Sequence, residues 1–98
     1  PSFARGFVLA LESRPADRNL WVAYISSLAR AELWTEAAKA AEQAFARVDD
    51  PHLLLLAATH WSEAGEIARA QKLFDTLPGD FPGRERAELR HRILAKAD

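Results

Sequence analysis

The chain contains no cysteine and only four glycines. Without cysteine it has neither a disulfide framework nor a thiolate metal site, and this absence suits oxidising and reducing compartments equally. With so few glycines there is no glycine-rich loop to hold a phosphate. The histidines His52, His60 and His91 have no second histidine four residues away, the spacing typical of helical zinc sites. The sequence therefore predicts no metal and no cofactor.

An excess of one charge and a long apolar run are also missing. Thirteen Lys and Arg residues oppose 14 Asp and Glu residues, giving a formal net charge of -1. Such a chain has no overall positive field to attract phosphate backbones. No apolar run exceeds six residues, as in Leu53–Ala58, whereas about 20 are needed to span a bilayer. We expect neither a nucleic-acid partner nor membrane insertion.

Catalytic patterns are lacking too. Ser26, Ser27 and Ser62 are not framed by glycines as a nucleophile elbow requires. His60 and Glu63 share a helix face, but an isolated pair of this kind is typical of a solvated surface. The sequence predicts no catalytic residue and no enzyme activity.

What the chain does have is an internal repeat. Its period is about 33 residues, a length typical of arrays of helical hairpins. Shifting the sequence by one period superimposes small or apolar positions, namely Ala4, Ala37 and Ala70, then Val8, Ala41 and Phe74, then Leu11, Ala44 and Leu77. The predicted helix breaks also repeat with this period. A proline and an aspartate occur together in residues 14–19 and again in residues 48–52. Asp50 followed by Pro51 is typical of a helix start, and Gly65 of a helix end.

Apolar residues recur at intervals of three and four, which indicates helices and no strands. We predict an all-α fold of six helices, at residues 2–14, 17–31, 35–47, 51–63, 67–77 and 84–97. The short connections require antiparallel helical hairpins, and equal hairpins stack into a solenoid.

These residues resemble the tetratricopeptide repeat (TPR) family, whose second helix carries Ala-x3-Phe, as at Ala70 and Phe74. Trp21 takes the place of the family's tryptophan, although its spacing to Tyr24 also resembles the half-a-TPR repeats of RNA-processing scaffolds. The resemblance implies a right-handed superhelix in one domain, 1–98, cut from a longer chain. The second helix of a preceding repeat would occupy residues 1–14, and two degenerate repeats would occupy 17–47 and 50–78. A last helix at 84–98 would cap the array or begin another repeat.

Small side chains recur along one face of the third predicted helix. Ala37, Ala41 and Ala44 are three and four residues apart, so a neighbouring helix can approach closely there. Larger residues on the facing helix, such as Trp21, would fill the space beside these alanines. Ala38, Ala40 and Ala46 are interpreted instead as helix formers.

The family resemblance implies a concave surface, lined by the first helix of each hairpin, that binds a protein or peptide. By the match between repeats, the lining residues would be Asn19, Val22, Ser26, Arg30, His52, Leu55, Thr59, Ser62 and Glu63. The lysines with which some family members clamp a C-terminal carboxylate are absent, so a chaperone-tail receptor is not expected. The predicted function is a non-catalytic interaction scaffold, in an assembly protein that the Ala and Arg bias suggests is bacterial. The alternative is a structural spacer or self-association element, for example in an envelope secretion scaffold.

The two ends of the chain carry different predictions. Arg90 and His91 lie in an amphipathic last segment whose charged face is interpreted as solvated and ion-paired rather than phosphate-binding. At the beginning, Phe3, Phe7 and Val8 have no earlier hairpin to cover them, so we expect partly exposed apolar surface or self-association there.

Overall fold

The computed structural model describes residues 2–77 and the single positions 90, 91, 93 and 95. Over residues 2–77 it contains five α-helices and no strand. They are α1 (Ser2–Ser13), α2 (Arg18–Arg30), α3 (Trp34–Val48), α4 (Pro51–Glu63) and α5 (Ile67–Asp75). The predicted all-α class is confirmed. Within the described residues, no helix is both long enough and apolar enough to cross a bilayer.

The predicted boundaries of the first five helices lie within two residues of the observed ones. The largest difference is at the end of α5, which stops at Asp75 rather than at residue 77. The predicted helix at 84–97 lies mostly outside the described residues. Its four described positions are helical, with Ile93 buried and Arg90, His91 and Ala95 exposed.

Two aspartates begin helices, and they lie one repeat period apart. The Asp17 carboxylate accepts a hydrogen bond from the Leu20 backbone N–H at 3.1 Å, which caps α2. The Asp50 carboxylate accepts one from the His52 backbone N–H at 3.0 Å, which caps α4. Each bond satisfies a donor that a helix N-terminus leaves free. The predicted start of a helix at Pro51 is confirmed.

Two turns that end helices are separated by the same period. Gly65 follows α4 with φ 87°, and Glu32 follows α2 with φ 59°. After each, the chain closes in the same way: the Glu66 N–H donates to the Trp61 carbonyl at 2.9 Å, and the Leu33 N–H donates to the Leu28 carbonyl at 3.0 Å. These bonds satisfy carbonyls at the helix ends, as glycine-type C-caps do.

Each helix packs against the next along the chain. The connections from α2 to α5 are only two or three residues long, at 31–33, 49–50 and 64–66. Packed neighbours joined by such short links run antiparallel, so α2 and α4 point in the same direction. The helix α3 lies between them and contacts both.

The alanines of α3 form more of the core than the sequence suggested. Ala37, Ala41 and Ala44 are buried as expected, but Ala38 and Ala40 are buried too, at 0% and 4% exposure. Their interpretation as helix formers was wrong, because α3 packs against helices on two sides and therefore buries a wide arc. Ala46, about 180° around the helix from Ala37 at ~100° per residue, is exposed, which agrees with its interpretation as a helix former.

Candidate functional site

The predicted docking surface belongs to α2 and α4, and a side-chain bond joins these helices at their starts. Arg18, the first residue of α2, donates from Nε to the Asp50 carboxylate that caps α4. The two residues are 32 positions apart in the chain. Because the helices point the same way, this bond brings their N-terminal ends together. The surface they share is called here the α2–α4 face.

Asp50 is the centre of a small polar cluster at this end. One carboxylate oxygen receives Arg18, and the other lies 3.0 Å from the His52 backbone nitrogen and 3.1 Å from His52 Nδ1. The hydrogen bond from Arg18 is the main reason that the pKa of Asp50 is lowered from 3.8 to about 2, with His52 lowering it further and partial burial opposing it. The carboxylate is thus held ionised between two helices.

The Asp50 cluster should make the free energy of unfolding depend on pH in the acidic range. A carboxyl whose pKa is lower in the folded state stabilises the fold above its unfolded pKa, and that contribution disappears as the pH falls through its folded pKa. We expect Asp50 to contribute about 1 kcal/mol, discounted because the exposed Arg18 is screened by solvent. This contribution should be lost between pH 4 and pH 2. Urea unfolding of wild type and Asp50→Asn at pH 7 and at about pH 2 measures it.

Asparagine also caps helices, so Asp50→Asn should remove the ion pair and retain the cap. Its free energy of unfolding should therefore differ from wild type at pH 7 and converge with it near pH 2. The matched control is Asp17→Asn at the cap of α2, where Arg14 lies at 3.6 Å in an exposed pair. An equal effect of the two substitutions at both pH values would contradict a special role for the bond between helices.

Eight of the nine predicted docking residues have accessible surface. Asn19, Arg30 and His52 are exposed, and the half-buried ones are Val22, Ser26, Leu55, Thr59 and Glu63. Residues one repeat period apart fall in the same class for three pairs: Asn19 with His52, Val22 with Leu55, and Ser26 with Thr59. Val22 and Leu55 also pack against the core. The face therefore has one apolar row, Val22 with Leu55, between polar rows on either side.

Two hydroxyls on α4 are less available than the sequence suggested. Ser62 is 0% exposed, so it cannot touch a ligand on the α2–α4 face in this arrangement. Ser62 lies on the buried side of α4, together with Ala58 and Trp61. The Thr59 hydroxyl donates to the Leu55 carbonyl at 2.8 Å, which leaves only its acceptor sites for a partner.

A cleft among the described residues lies elsewhere, and the sequence reasoning missed it. It has a volume of about 650 Å³ and opens between α1 and α3. Val8, Leu11 and Glu12 line it from α1, Gln43, Ala46 and Arg47 from α3, and Trp21 and Tyr24 from α2. The exposed, small Ala46 was the available signal, but its interpretation as a helix former concealed the cleft.

Aromatic contacts support this cleft. The Tyr24 ring lies 5.5 Å from the Phe7 ring and 6.4 Å from the Trp21 ring, centroid to centroid. The Trp21 Nε1–H donates to the Pro15 carbonyl at 2.7 Å, so its polar atom is satisfied. Tilted aromatic pairs at these distances are stabilising, and the pair of Phe7 with Tyr24 links α1 to α2.

A smaller cleft of about 270 Å³ lies between α3 and α5. Trp61 from α4 lines it, and its Nε1–H donates to Glu42 Oε2 at 2.8 Å. The Arg69 guanidinium lies 4.8 Å from the Trp61 ring centroid, a cation–π distance. Each cleft thus lies between two odd-numbered helices, and a tryptophan from the intervening even-numbered helix lines it.

Across the described ranges, no three His, Asp or Glu side chains lie together as metal ligands would. In comparisons with known proteins, no family model, no curated protein and no solved structure matches this chain.

Proposed function

We propose that the chain is a TPR-like array of helical hairpins, wound as a right-handed superhelix, that acts as a non-catalytic interaction scaffold. It binds an extended or helical segment of another protein on the α2–α4 face. Val22 and Leu55 supply the apolar centre, while Asn19, Arg30 and His52 supply polar contacts around it. A central apolar strip with a polar rim is the usual anatomy of a protein interface.

The observation that carries this function is the direct bond between α2 and α4. Arg18 and Asp50 hold the starts of two parallel helices side by side, so their outward residues form one continuous surface. The paired caps at Asp17 and Asp50 and the paired turns at Glu32 and Gly65 favour a hairpin array, because the members of each pair lie one repeat period apart.

Substitution on the α2–α4 face should abolish partner capture, and the fold has to be checked in the same variant because Val22 and Leu55 also pack against the core. Val22→Glu with Leu55→Glu places two charges on the apolar centre, and burying an unpaired charge against a partner is strongly unfavourable. Pull-down from the source organism with wild type and variant as bait, identified by mass spectrometry, measures the loss. A second variant, Arg30→Ala with His52→Ala, alters only exposed side chains and should weaken capture of the same protein.

The matched control is Gln43→Glu with Gln71→Glu. Both glutamines are exposed, on α3 and α5, and the control changes the net charge by the same amount as the first variant. It should retain the partner, and circular dichroism should show equal helicity in all variants. Loss of the partner by the control alone would move the binding surface to the cleft between α1 and α3, which Gln43 lines. Capture that no variant affects would reject the α2–α4 face.

The second candidate is a structural spacer or self-association element. Exposed apolar residues on α1 favour it, because Phe3, Val8 and Leu9 are 37%, 44% and 58% exposed. The exposures of Phe3 and Val8 agree with the expectation from the sequence, whereas Phe7 is half-buried against Tyr24. A pull-down that retains no specific protein, together with concentration-dependent association, would favour this candidate.

A further inference from the structure

The helix α1 carries an exposed face, and two of its residues, Val8 and Glu12, also line the edge of the cleft between α1 and α3. Arg5, Val8, Leu9 and Glu12 are all exposed, and their spacing of three, four and seven residues places them on one side of a helix. They are called here the α1 outer face. Its centre is apolar, since Val8 and Leu9 are among the most exposed large apolar side chains of the described residues. Its two ends carry opposite charges.

The charges of the α1 outer face are arranged symmetrically. Arg5 precedes Val8 by three residues, and Glu12 follows Leu9 by three residues. When two copies of such a helix lie antiparallel, a twofold axis passes between positions 8 and 9. Arg5 of each copy then lies opposite the partner's Glu12, and Val8 lies opposite the partner's Leu9. A twofold interface requires this kind of self-complementary patch.

We infer that the α1 outer face binds a second copy of this chain in an antiparallel, twofold-symmetric helix pair. Two ion pairs between Arg5 and the partner's Glu12 fix the register, and Val8 and Leu9 supply the apolar contact. Within the described residues neither Arg5 nor Glu12 has an ion-pair partner in its own chain. The two residues are about 10 Å apart along the helix at 1.5 Å per residue, too far to pair with each other.

The size of the face sets the expected strength. A helix of 12 residues is about 18 Å long, so the pair buries much less than the ~1,600 Å² of a standard stable interface. The chain should therefore exchange rapidly between monomer and dimer. This association deepens the second candidate function and rests on it, because it specifies how the chain associates with itself through α1. Docking at the α2–α4 face stands whether or not α1 pairs with itself.

Charge reversal tests the pairing. Arg5→Glu places Glu opposite the partner's Glu12 twice in the dimer, and Glu12→Arg places Arg opposite the partner's Arg5 twice. Each single variant should raise the dimer dissociation constant about tenfold or more. Sedimentation equilibrium between about 10 µM and about 1 mM, the range expected for so small an interface, measures the constants.

Two further samples separate this register from general electrostatic effects. The double variant Arg5→Glu with Glu12→Arg restores opposite charges across the pair and should dimerise like wild type. An equimolar mixture of the two single variants should form a heterodimer, because each supplies the charge that the other lacks. All substitutions are at exposed positions, and circular dichroism checks that the helices are retained.

The inference is overturned if wild type remains monomeric up to about 1 mM, or if the double variant and the mixture fail to recover association. A dimer whose dissociation constant does not respond to either single reversal would also overturn it, since another surface would then form the contact. A loss of association in the Val22→Glu, Leu55→Glu variant but not in the single reversals would assign self-association to the α2–α4 face.

Discussion

Replacing Trp61 by alanine is expected to lower the free energy of unfolding by about 3–5 kcal/mol, the range for a buried aromatic residue. Trp61 is 2% exposed. It lies on α4, which packs against both α3 and α5, so its removal leaves a cavity where three helices meet. For a domain whose total stability is about 5–15 kcal/mol, this loss is a large fraction. Urea unfolding followed by circular dichroism at pH 7 measures it.

The matched control for Trp61→Ala is Trp34→Ala. Trp34 is half-buried at the start of α3 and stacks on His60 with a centroid distance of 5.9 Å. Because Trp34 is less buried than Trp61, its replacement by alanine should lower the free energy of unfolding by only about 1–2 kcal/mol. Glu42→Gln keeps an acceptor for the Trp61 indole N–H and should cost less than about 1 kcal/mol. Equal effects of the two tryptophan substitutions would contradict the central position of Trp61.

Local chemistry explains what the sequence predicted well. Asp50 before Pro51 defines a helix start from neighbouring residues alone, because the carboxylate caps and the proline needs no donor. Gly65 likewise indicates a left-handed turn. Glu32 adopts the same conformation at the equivalent position, although no residue preference indicates it. Such a turn in a glutamate follows from the packing of the flanking helices rather than from the residue itself.

Features that depend on helix placement were predicted less well. The cleft between α1 and α3 depends on how far apart these two helices lie, and their match one repeat period apart does not specify that distance. Ser62 was expected on the docking face, although its counterpart one repeat period earlier, Ala29, was not among the predicted docking residues. The burial of Trp61 beside Ser62 shows that α4 presents a wider buried arc than α2 does. Only the three-dimensional arrangement reveals this arc.

Replacing Ala41 by phenylalanine should destabilise the chain by about 1–3 kcal/mol, as overpacking of a close-packed core does. Ala41 is 0% exposed. The matched control is Ala46→Phe, the same substitution on the same helix at an exposed position, which should change the free energy of unfolding by less than about 0.5 kcal/mol. Urea unfolding of both variants gives the comparison. Equal effects would show that α3 tolerates bulk on its buried side.

The position one repeat period after Ala41 is Phe74, which is buried on α5 at 7% exposure. The position one repeat period after Ile25 of α2 is Ala58 of α4, so large and small residues exchange places between the two helix pairs. Ile25→Ala should therefore make room for Ala41→Phe. Each single substitution destabilises, but the double variant should be more stable than the sum of the two effects implies, by about 0.5–3 kcal/mol. Strict additivity would mean that Ile25 does not limit the space beside Ala41, and the exchange of large and small residues would then be coincidental.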